Sequence, residues 1–243
     1  MKVELKSPEK FRQVIKAISS LVEEGTFEVD ETGINFTAMD TSQISMVKIT
    51  IPKGMFSLFE AEKESLCTDI KKLEAILARG GKGEITEIET KEGKLNIRFR
   101  GEKKNRTFSL PLIEPMGGER KVPQVESGVE LVFKSGDFSS VLSDTKLADT
   151  FVTITLQEDN KVIASGGEGI EINLTEELEM PEGSIIRKTE GEIKAMFSVE
   201  YIENMIKASG PEIKLHLGTD KPLRITYKIG EAEIEYFLAP RIV

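Results

Sequence analysis

The feature that most constrains this chain is an internal duplication. Phe11, Val14, Ile15, Ile18, Leu21 and Val22 follow helical spacing over 8–22, with Ser7 as a cap and Pro8 at the first helical position. Ile70, Leu73, Ile76 and Leu77 do the same over 69–82, after Thr68-Asp69. Phe138, Val141 and Leu142 mark a third helix over 136–148, after Ser135-Gly136-Asp137, and Val199, Ile202, Met205 and Ile206 a fourth over 198–208, after Ser198. Positions 7 and 68 are 61 residues apart, and 135 and 198 are 63 apart. Most of the remainder alternates between apolar and polar. Phe27/Val29, Ile34/Phe36/Ala38, Leu95/Ile97/Phe99, Ile170/Ile172/Leu174, Leu223/Ile225/Tyr227/Ile229 and Ile234/Tyr236/Leu238 each recur at every second position, separated by turns such as Asp30-Glu31-Thr32-Gly33. These are antiparallel hairpins with one wet face. The order strand, helix, strands, helix, strands is therefore written twice, and a repeat this regular decides the architecture more firmly than any short motif. The expected class is α+β: two tandem domains, each with two helices packed on an antiparallel β-sheet.

Residues 114–128 have neither period and hold two prolines and three glycines. That composition predicts a connector over 118–127, extended around Val122-Pro123, between domains at 1–117 and 128–243.

Single counts remove much of enzymology. His216 is the one histidine and Cys67 the one cysteine of 243 residues, so disulfides and multi-cysteine zinc sites are excluded. A histidine-dependent catalytic set would have to use His216. It lies in Ile213-Lys214-Leu215-His216-Leu217, where alternation predicts an ordinary surface position opposite the buried leucines. Gly81-Lys82 and Gly93-Lys94 lack the Ser or Thr of a phosphate loop, and Gly166-Gly167-Glu168-Gly169 precedes a strand pattern rather than a helix, so it reads as a turn between strands. No run of 18 apolar residues exists, and Met1-Lys2-Val3-Glu4 enters an alternating pattern directly, so the expectation is a cytoplasmic chain without signal peptide or membrane span. The net charge of −9 excludes holding nucleic acid by bulk positive charge.

Three strings are recognisable: Phe36-Thr37-Ala38-Met39-Asp40-Thr41-Ser42-Gln43-Ile44-Ser45-Met46-Val47, Leu217-Gly218-Thr219-Asp220-Lys221-Pro222-Leu223-Arg224-Ile225-Thr226-Tyr227-Lys228-Ile229, and Tyr236-Phe237-Leu238-Ala239-Pro240-Arg241-Ile242. With two tandem domains of this make-up, the whole chain resembles the DNA sliding clamp of the proliferating cell nuclear antigen family. The short connector and the lack of an acidic tail resemble its archaeal type. The resemblance implies a ring that encircles duplex DNA without reading sequence, works as a polymerase processivity factor without catalysis or cofactor, and associates with the nucleoid. Its implied partners are a clamp loader, and DNA polymerase, flap endonuclease and DNA ligase through short peptide motifs.

The same resemblance assigns residues. The helices are implied to line the hole. Helices 8–22 and 69–82 each carry a net +2, whereas 136–148 and 198–208 each carry −1. The implied DNA-facing cations are Lys10, Arg12, Lys16, Lys71, Lys72, Arg79, Lys82, Lys146 and Lys207, so the first domain is expected to supply most of the attraction. Helix 136–148 departs from the basic pattern, presenting Ser139, Ser140 and Ser143. A partner-peptide groove is implied at Met39, Gln43, Ile44, Met46, Val122, Pro123, Pro222, Phe237, Leu238, Ala239, Pro240 and Ile242, where methionines would adapt to several ligands. Gln43 stands where eukaryotic relatives often have histidine, and Arg120 near where they have a large aliphatic residue, for which Met116 could compensate. Neighbouring chains are implied to pair 106–112 of one with 170–175 of the next, with Leu77, Phe108, Leu110, Leu147, Ile172 and Leu174 at the contact. A trimer is expected, with three identical chains favoured over different ones. Two other readings stay open: a specialised clamp paralogue in a mixed ring for damage signalling, and a carboxylate-based hydrolase, against which the absence of tryptophan argues.

Overall fold

The computed structural model describes residues 1–114, 121–167 and 172–242. It divides into two units. The first comprises Met1–Thr41, Val47–Lys121 and Lys228–Ile234; the second comprises Ser42–Met46, Val122–Tyr227 and Glu235–Val243.

In chain order the first half provides β1 (Lys2–Leu5), α1 (Pro8–Ser19), β2 (Glu24–Asp30), β3 (Gly33–Met39), β4 (Ser45–Pro52), β5 (Phe56–Glu60), β6 (Glu64–Asp69), α2 (Ile70–Leu77), β7 (Ile85–Lys91), β8 (Lys94–Arg100) and β9 (Asn105–Pro111). A five-stranded sheet runs β5-β1-β7-β8-β9, and a second run is ordered β4-β3-β2-β6. The five-stranded sheet is antiparallel throughout, as between β7 and β8, where Ile88 faces Ile97 and Thr86 faces Phe99. Val14, Ile15 and Ile18 of α1 are buried against α2 and the sheets, together with Ile70, Leu73 and Leu77 of α2, Phe36 and Phe99. Burying each such aliphatic side chain stabilises by about 1.5–3 kcal/mol.

The second half provides β10 (Val129–Lys134), α3 (Ser135–Ala148), β11 (Phe151–Leu156), β12 (Val162–Gly166), β13 (Leu174–Leu178), β14 (Ile185–Arg187), β15 (Ile193–Ser198), α4 (Val199–Ile206), β16 (Glu212–Leu217), β17 (Leu223–Ile229) and β18 (Ala232–Leu238). One sheet is ordered β13-β12-β11-β15, and another run β14-β10-β16-β17-β18. Phe138 and Leu142 of α3 and Ile202 and Met205 of α4 are fully covered, alongside Phe197 and Leu215. The Tyr227 hydroxyl donates to the Met205 carbonyl at 2.9 Å, tying a sheet strand to α4. The duplicated order read from the periodicity is thus present as a helix pair on antiparallel strands in each half.

Three expectations need correction. The second helix ends at Leu77 instead of 82, so Arg79 and Lys82 lie in the connection to β7. Glycines 80, 81 and 83 disfavour further helix there, and Gly83 takes a φ of +80°. The first helix stops at Ser19, leaving Leu21 and Val22 outside it. The strand expected from Ile170 starts at Leu174; Ile172 precedes it and is 56% exposed, and Ile170 lies outside the described residues.

His216 is a fourth correction. It is only 7% exposed, although it sits on the polar side of β16. Period two tells which face a residue occupies but not what covers it. His216 pairs in register with Glu130 and Arg224 on the strands either side. Its Nδ1 is 3.7 Å from a Glu130 carboxylate oxygen, and its Nε2 is 3.2 Å from the Thr226 hydroxyl. Burial first, then the Arg224 charge, lower its pKa to about 4, so the ring is neutral at pH 7.

Candidate nucleic-acid interface and partner groove

The cations on α1 and α2 divide into two groups. Two of them tie the helix pair together. Arg12 on α1 donates from Nη1 to the Gly80 carbonyl at 3.2 Å and reaches the Leu77 carbonyl at 3.5 Å. Lys71 on α2 donates from Nζ to the Ser19 carbonyl at 2.6 Å. The Ser19 and Leu77 carbonyls end α1 and α2, where the last acceptors lack intrahelical partners and the macrodipole is negative, and Gly80 lies just beyond α2. Ser19 also donates its hydroxyl to Glu74. The remaining cations of this half are directed elsewhere. Lys72 pairs with the N-cap Asp69 at 2.8 Å, and that hydrogen bond raises the lysine pKa. Burial opposes it, yet hydrogen bonds from Lys72 hold the Asp69 carboxyl below its ordinary value. Lys10, Lys16, Arg79 and Lys82 are exposed, and none of the ion pairs among the described residues includes them.

The second unit offers less positive charge. Lys146 on α3 pairs with Glu203 on α4 at 2.6 Å, and the hydrogen bond raises its pKa. Lys207 is the residue directly after α4 and is exposed. The α3 serines 139, 140 and 143 are exposed as well. Of the nine cations expected to face DNA, five therefore carry no ion pair or helix-capping contact among the described residues, and four of those five belong to the first unit.

The groove residues also separate by exposure. Ile44 is 41% and Ile242 76% exposed. Gln43 and Pro123 are exposed as well; Val122, Pro222 and Pro240 are half-buried. Within the second unit the Ala239 N–H donates to the Ile44 carbonyl at 2.8 Å, bringing the loop string and the C-terminal string together. Gln43 adopts a left-handed φ of 59° immediately before Ile44. Met46, Phe237 and Leu238 are core residues instead, each 5% exposed or less, so fewer of the expected groove residues reach the surface. Met39, in the first unit, is half-buried. Arg120 and Met116 lie outside the described residues.

The residues expected at the chain-to-chain contact divide similarly. β9 and β13 each form the end of a sheet, as the pairing of 106–112 with 170–175 requires. Leu77 and Leu110 are 1% and 4% exposed and belong to the core. The reason is local: Leu77 shares the inward face of α2 with Ile70 and Leu73, and inward positions on β9 alternate through Phe108 to Leu110. Phe108 and Leu174 are half-buried, and Leu147 is 75% exposed.

Sequence reasoning missed the capping roles of Arg12 and Lys71, which depend on where two helix ends fall in space. It also missed Arg241, whose guanidinium stacks 4.1 Å from the centre of the Phe151 ring while its backbone N–H donates to the Met196 carbonyl at 2.8 Å. Among the described residues, no helix is long and apolar enough to cross a membrane.

Known proteins resemble the chain over nearly its full length. The family model described as "Proliferating cell nuclear antigen, N-terminal domain" matches residues 1–114, and that of the C-terminal domain matches 121–242. The DNA polymerase sliding clamp of Methanococcus maripaludis strain C7 is 32% identical over 242 residues, covering 96% of this chain and 95% of the relative. That of Thermococcus gammatolerans is 30% identical, with 96% and 94% covered. Among solved structures, proliferating cell nuclear antigen from Thermococcus kodakaraensis superposes with a TM-score of 0.90 at 22% identity, covering 99% of each chain. With the helix pairs, free cations and sheet edges already described, these matches show that the chain belongs to the proliferating cell nuclear antigen family, alongside archaeal proteins named DNA polymerase sliding clamp.

Proposed function

We propose that this protein is a DNA polymerase sliding clamp: a ring that surrounds duplex DNA, holds a polymerase on its template and recruits other replication and repair proteins. Family membership over both domains carries the reading. The electrostatics support it. A chain of net charge −9 that keeps exposed cations at Lys10, Lys16, Arg79 and Lys82 attracts phosphate locally and repels it elsewhere. Phosphate contact of this sort carries no sequence information, which suits a clamp that must slide.

The clamp acts by topology and needs no catalytic group. Three chains close the ring by pairing the free β9 edge of one with the free β13 edge of the next, since an unpaired edge seeks another strand. Ile44, Pro240, Ile242, Pro222, Val122 and Pro123 form the docking surface for the short peptide motifs of polymerase, flap endonuclease and ligase. A clamp loader opens the ring on the nucleoid. The decisive experiment is polymerase processivity on primed circular DNA with a clamp loader. Product length should rise severalfold with the chain present and fall back when the circle is linearised, because the ring runs off a free end. Product lengths unchanged by the chain would refute the reading.

A further inference from the structure

Two segments of the proposed docking surface hang from one strand edge. β15 ends its sheet, pairing on one side with β11, where Lys194 faces Thr155 and Met196 faces Thr153. On its other side the Lys194 carbonyl accepts the Asp220 N–H at 3.3 Å, and the Met196 carbonyl accepts the Arg241 backbone N–H at 2.8 Å. Carbonyls two residues apart point to the same side of a strand, so this edge is a short ladder. Asp220 belongs to the turn that leads into Pro222, closed by the Lys221 N–H on the Gly218 carbonyl at 3.1 Å. Arg241 stands between Pro240 and Ile242. An edge that would otherwise seek a foreign strand is thereby met from within the chain.

The C-terminal segment has two further fastenings. Its Ala239 N–H donates to the Ile44 carbonyl at 2.8 Å, so main chain holds it at 239 and again at 241. Pro240 lies between, with no N–H to leave unmet and a fixed φ. The Arg241 guanidinium lies 4.1 Å from the centre of the Phe151 ring. Phe151 opens β11, is half-buried, and pairs in register with Ser198 on β15. Arg241 is exposed, and among the described residues its side chain joins no ion pair. A planar guanidinium stacks on an aromatic face with its charge still in water, which the compact lysine ammonium does less well. Ile242 follows directly and is 76% exposed, so the stack is the last side-chain fastening before it.

We propose, building on the docking reading above, that Arg241 is a positioning residue for partner peptides. Stacked on Phe151, it keeps Pro240 and Ile242 at the β15 edge, so the apolar surface exists before a peptide arrives. Arg241 acts through the segment it holds and does not touch the partner. Without the stack the segment keeps its main-chain donors, yet it is docked for a smaller fraction of the time. The apparent affinity of a peptide falls by that fraction, whatever the peptide's charge. The loss appears in association, because a peptide then waits for a docked segment, and dissociation from the formed surface is unchanged. Arg241 and Phe151 act as a unit, so losing either has the consequence of losing both.

Stopped-flow fluorescence on the full-length chain reads both rates. The probes are two labelled synthetic peptides with apolar anchors at i, i+3 and i+4, one flanked by aspartates and one by lysines. Arg241→Gln should slow association about tenfold for both peptides and leave dissociation within about twofold. Arg241→Lys should recover all but about threefold of the rate, because an ammonium still sits over the ring. Phe151→Leu should match Arg241→Gln, and the two combined should be no more than about twofold slower than either. Circular dichroism melts establish that each variant is folded. Independently of any peptide, hydrogen exchange should quicken at the amides of 239 and 241 in Arg241→Gln. Unchanged association overturns the proposal, as does a loss confined to dissociation. A loss confined to the aspartate peptide also overturns it, since the guanidinium then touches the partner. If the unaltered chain binds neither peptide, the docking reading fails, and exchange alone decides whether the stack holds the segment: quickened amides uphold it and unchanged amides overturn it.

Discussion

Arg12 on α1 donates to the Gly80 carbonyl beyond α2 at 3.2 Å, and Lys71 on α2 returns the contact by donating to the last carbonyl of α1, Ser19, at 2.6 Å. Each helix thus supplies the cation that satisfies the other's negative end. Two basic residues that the family resemblance implies at a DNA-facing position are in this way committed to holding the helix pair together.

The first prediction separates the two roles. Arg12→Ala should lower stability by about 0.5–2 kcal/mol, because it removes a charged hydrogen bond at a helix C-terminus. Lys16→Ala should leave the melting temperature nearly unchanged. In return it should reduce the slope of log affinity for DNA against log salt by about 0.9, the contribution of one phosphate contact. Thermal melts and a salt titration on the assembled ring measure both. A stable Arg12→Ala variant whose only defect is the salt slope would show that Arg12 contacts DNA.

The second prediction concerns acid. His216 has its pKa lowered from 6.5 to about 4, by burial and by Arg224. A base whose folded pKa is depressed stabilises the fold fully above its unfolded pKa and loses that contribution as pH falls through the folded value. Stability should therefore decline between about pH 6.5 and 4. Glu130, held below its ordinary value chiefly by the Lys214 hydrogen bond, adds a loss in the same direction below about pH 4.5. His216→Gln should flatten the upper part of this decline in denaturant titrations run across pH. A profile identical to that of the unaltered chain would mean the imidazole is solvated.

These cases show what the sequence exposed and what it hid. Apolar spacing located all four helices, because the buried stripe of an amphipathic helix is a local property. It misplaced the end of α2, since Ile76 and Leu77 continue the period up to the point where three glycines disfavour further helix. His216 was assigned the right strand face and the wrong environment. Alternation records direction, whereas cover comes from Glu130, Arg224 and Thr226 on neighbouring strands. The docking strings were legible as strings. That Met46, Phe237 and Leu238 are buried while Ile44 and Ile242 are exposed required coordinates.

The third prediction rests on Gly167, which directly follows β12 with a φ of +78°. A Cβ there would lie 2.1 Å from the Ile172 carbonyl oxygen and 3.2 Å from the Ala148 Cβ. Its N–H donates to Asp149 at 3.2 Å, fixing Gly167 against the end of α3. Gly167→Ala should destabilise by about 1–3 kcal/mol, combining a strained left-handed backbone with a clash against main chain. The damage should concentrate on the adjacent β13. Hydrogen exchange should quicken for β13 amides while β16 stays protected, and ring assembly should weaken with it. Uniform protection in the variant would show that position 167 accommodates a side chain.

The fourth prediction tests the docking surface. The Ile44 loop is held by main chain, through the Ala239 N–H on the Ile44 carbonyl, so truncating the side chain leaves the tether in place. Ile44→Ala deletes three carbons from a side chain that is already 41% exposed, so its effect on folding should be small. A partner peptide burying that side chain would lose about 0.8 kcal/mol per methylene, on the order of 2 kcal/mol in all. That corresponds to roughly thirtyfold weaker binding. Adding Pro240→Ala removes a rigid, half-buried neighbour and should bring affinity below what calorimetry detects. Trimer mass and melting temperature should hold. Arg241→Ala serves as the contrast: its stacking on Phe151 and its main-chain contact to Met196 anchor the C-terminal string, so it should weaken peptide binding only by loosening that segment. Full affinity retained by the Ile44→Ala, Pro240→Ala chain would place the docking surface elsewhere on the molecule.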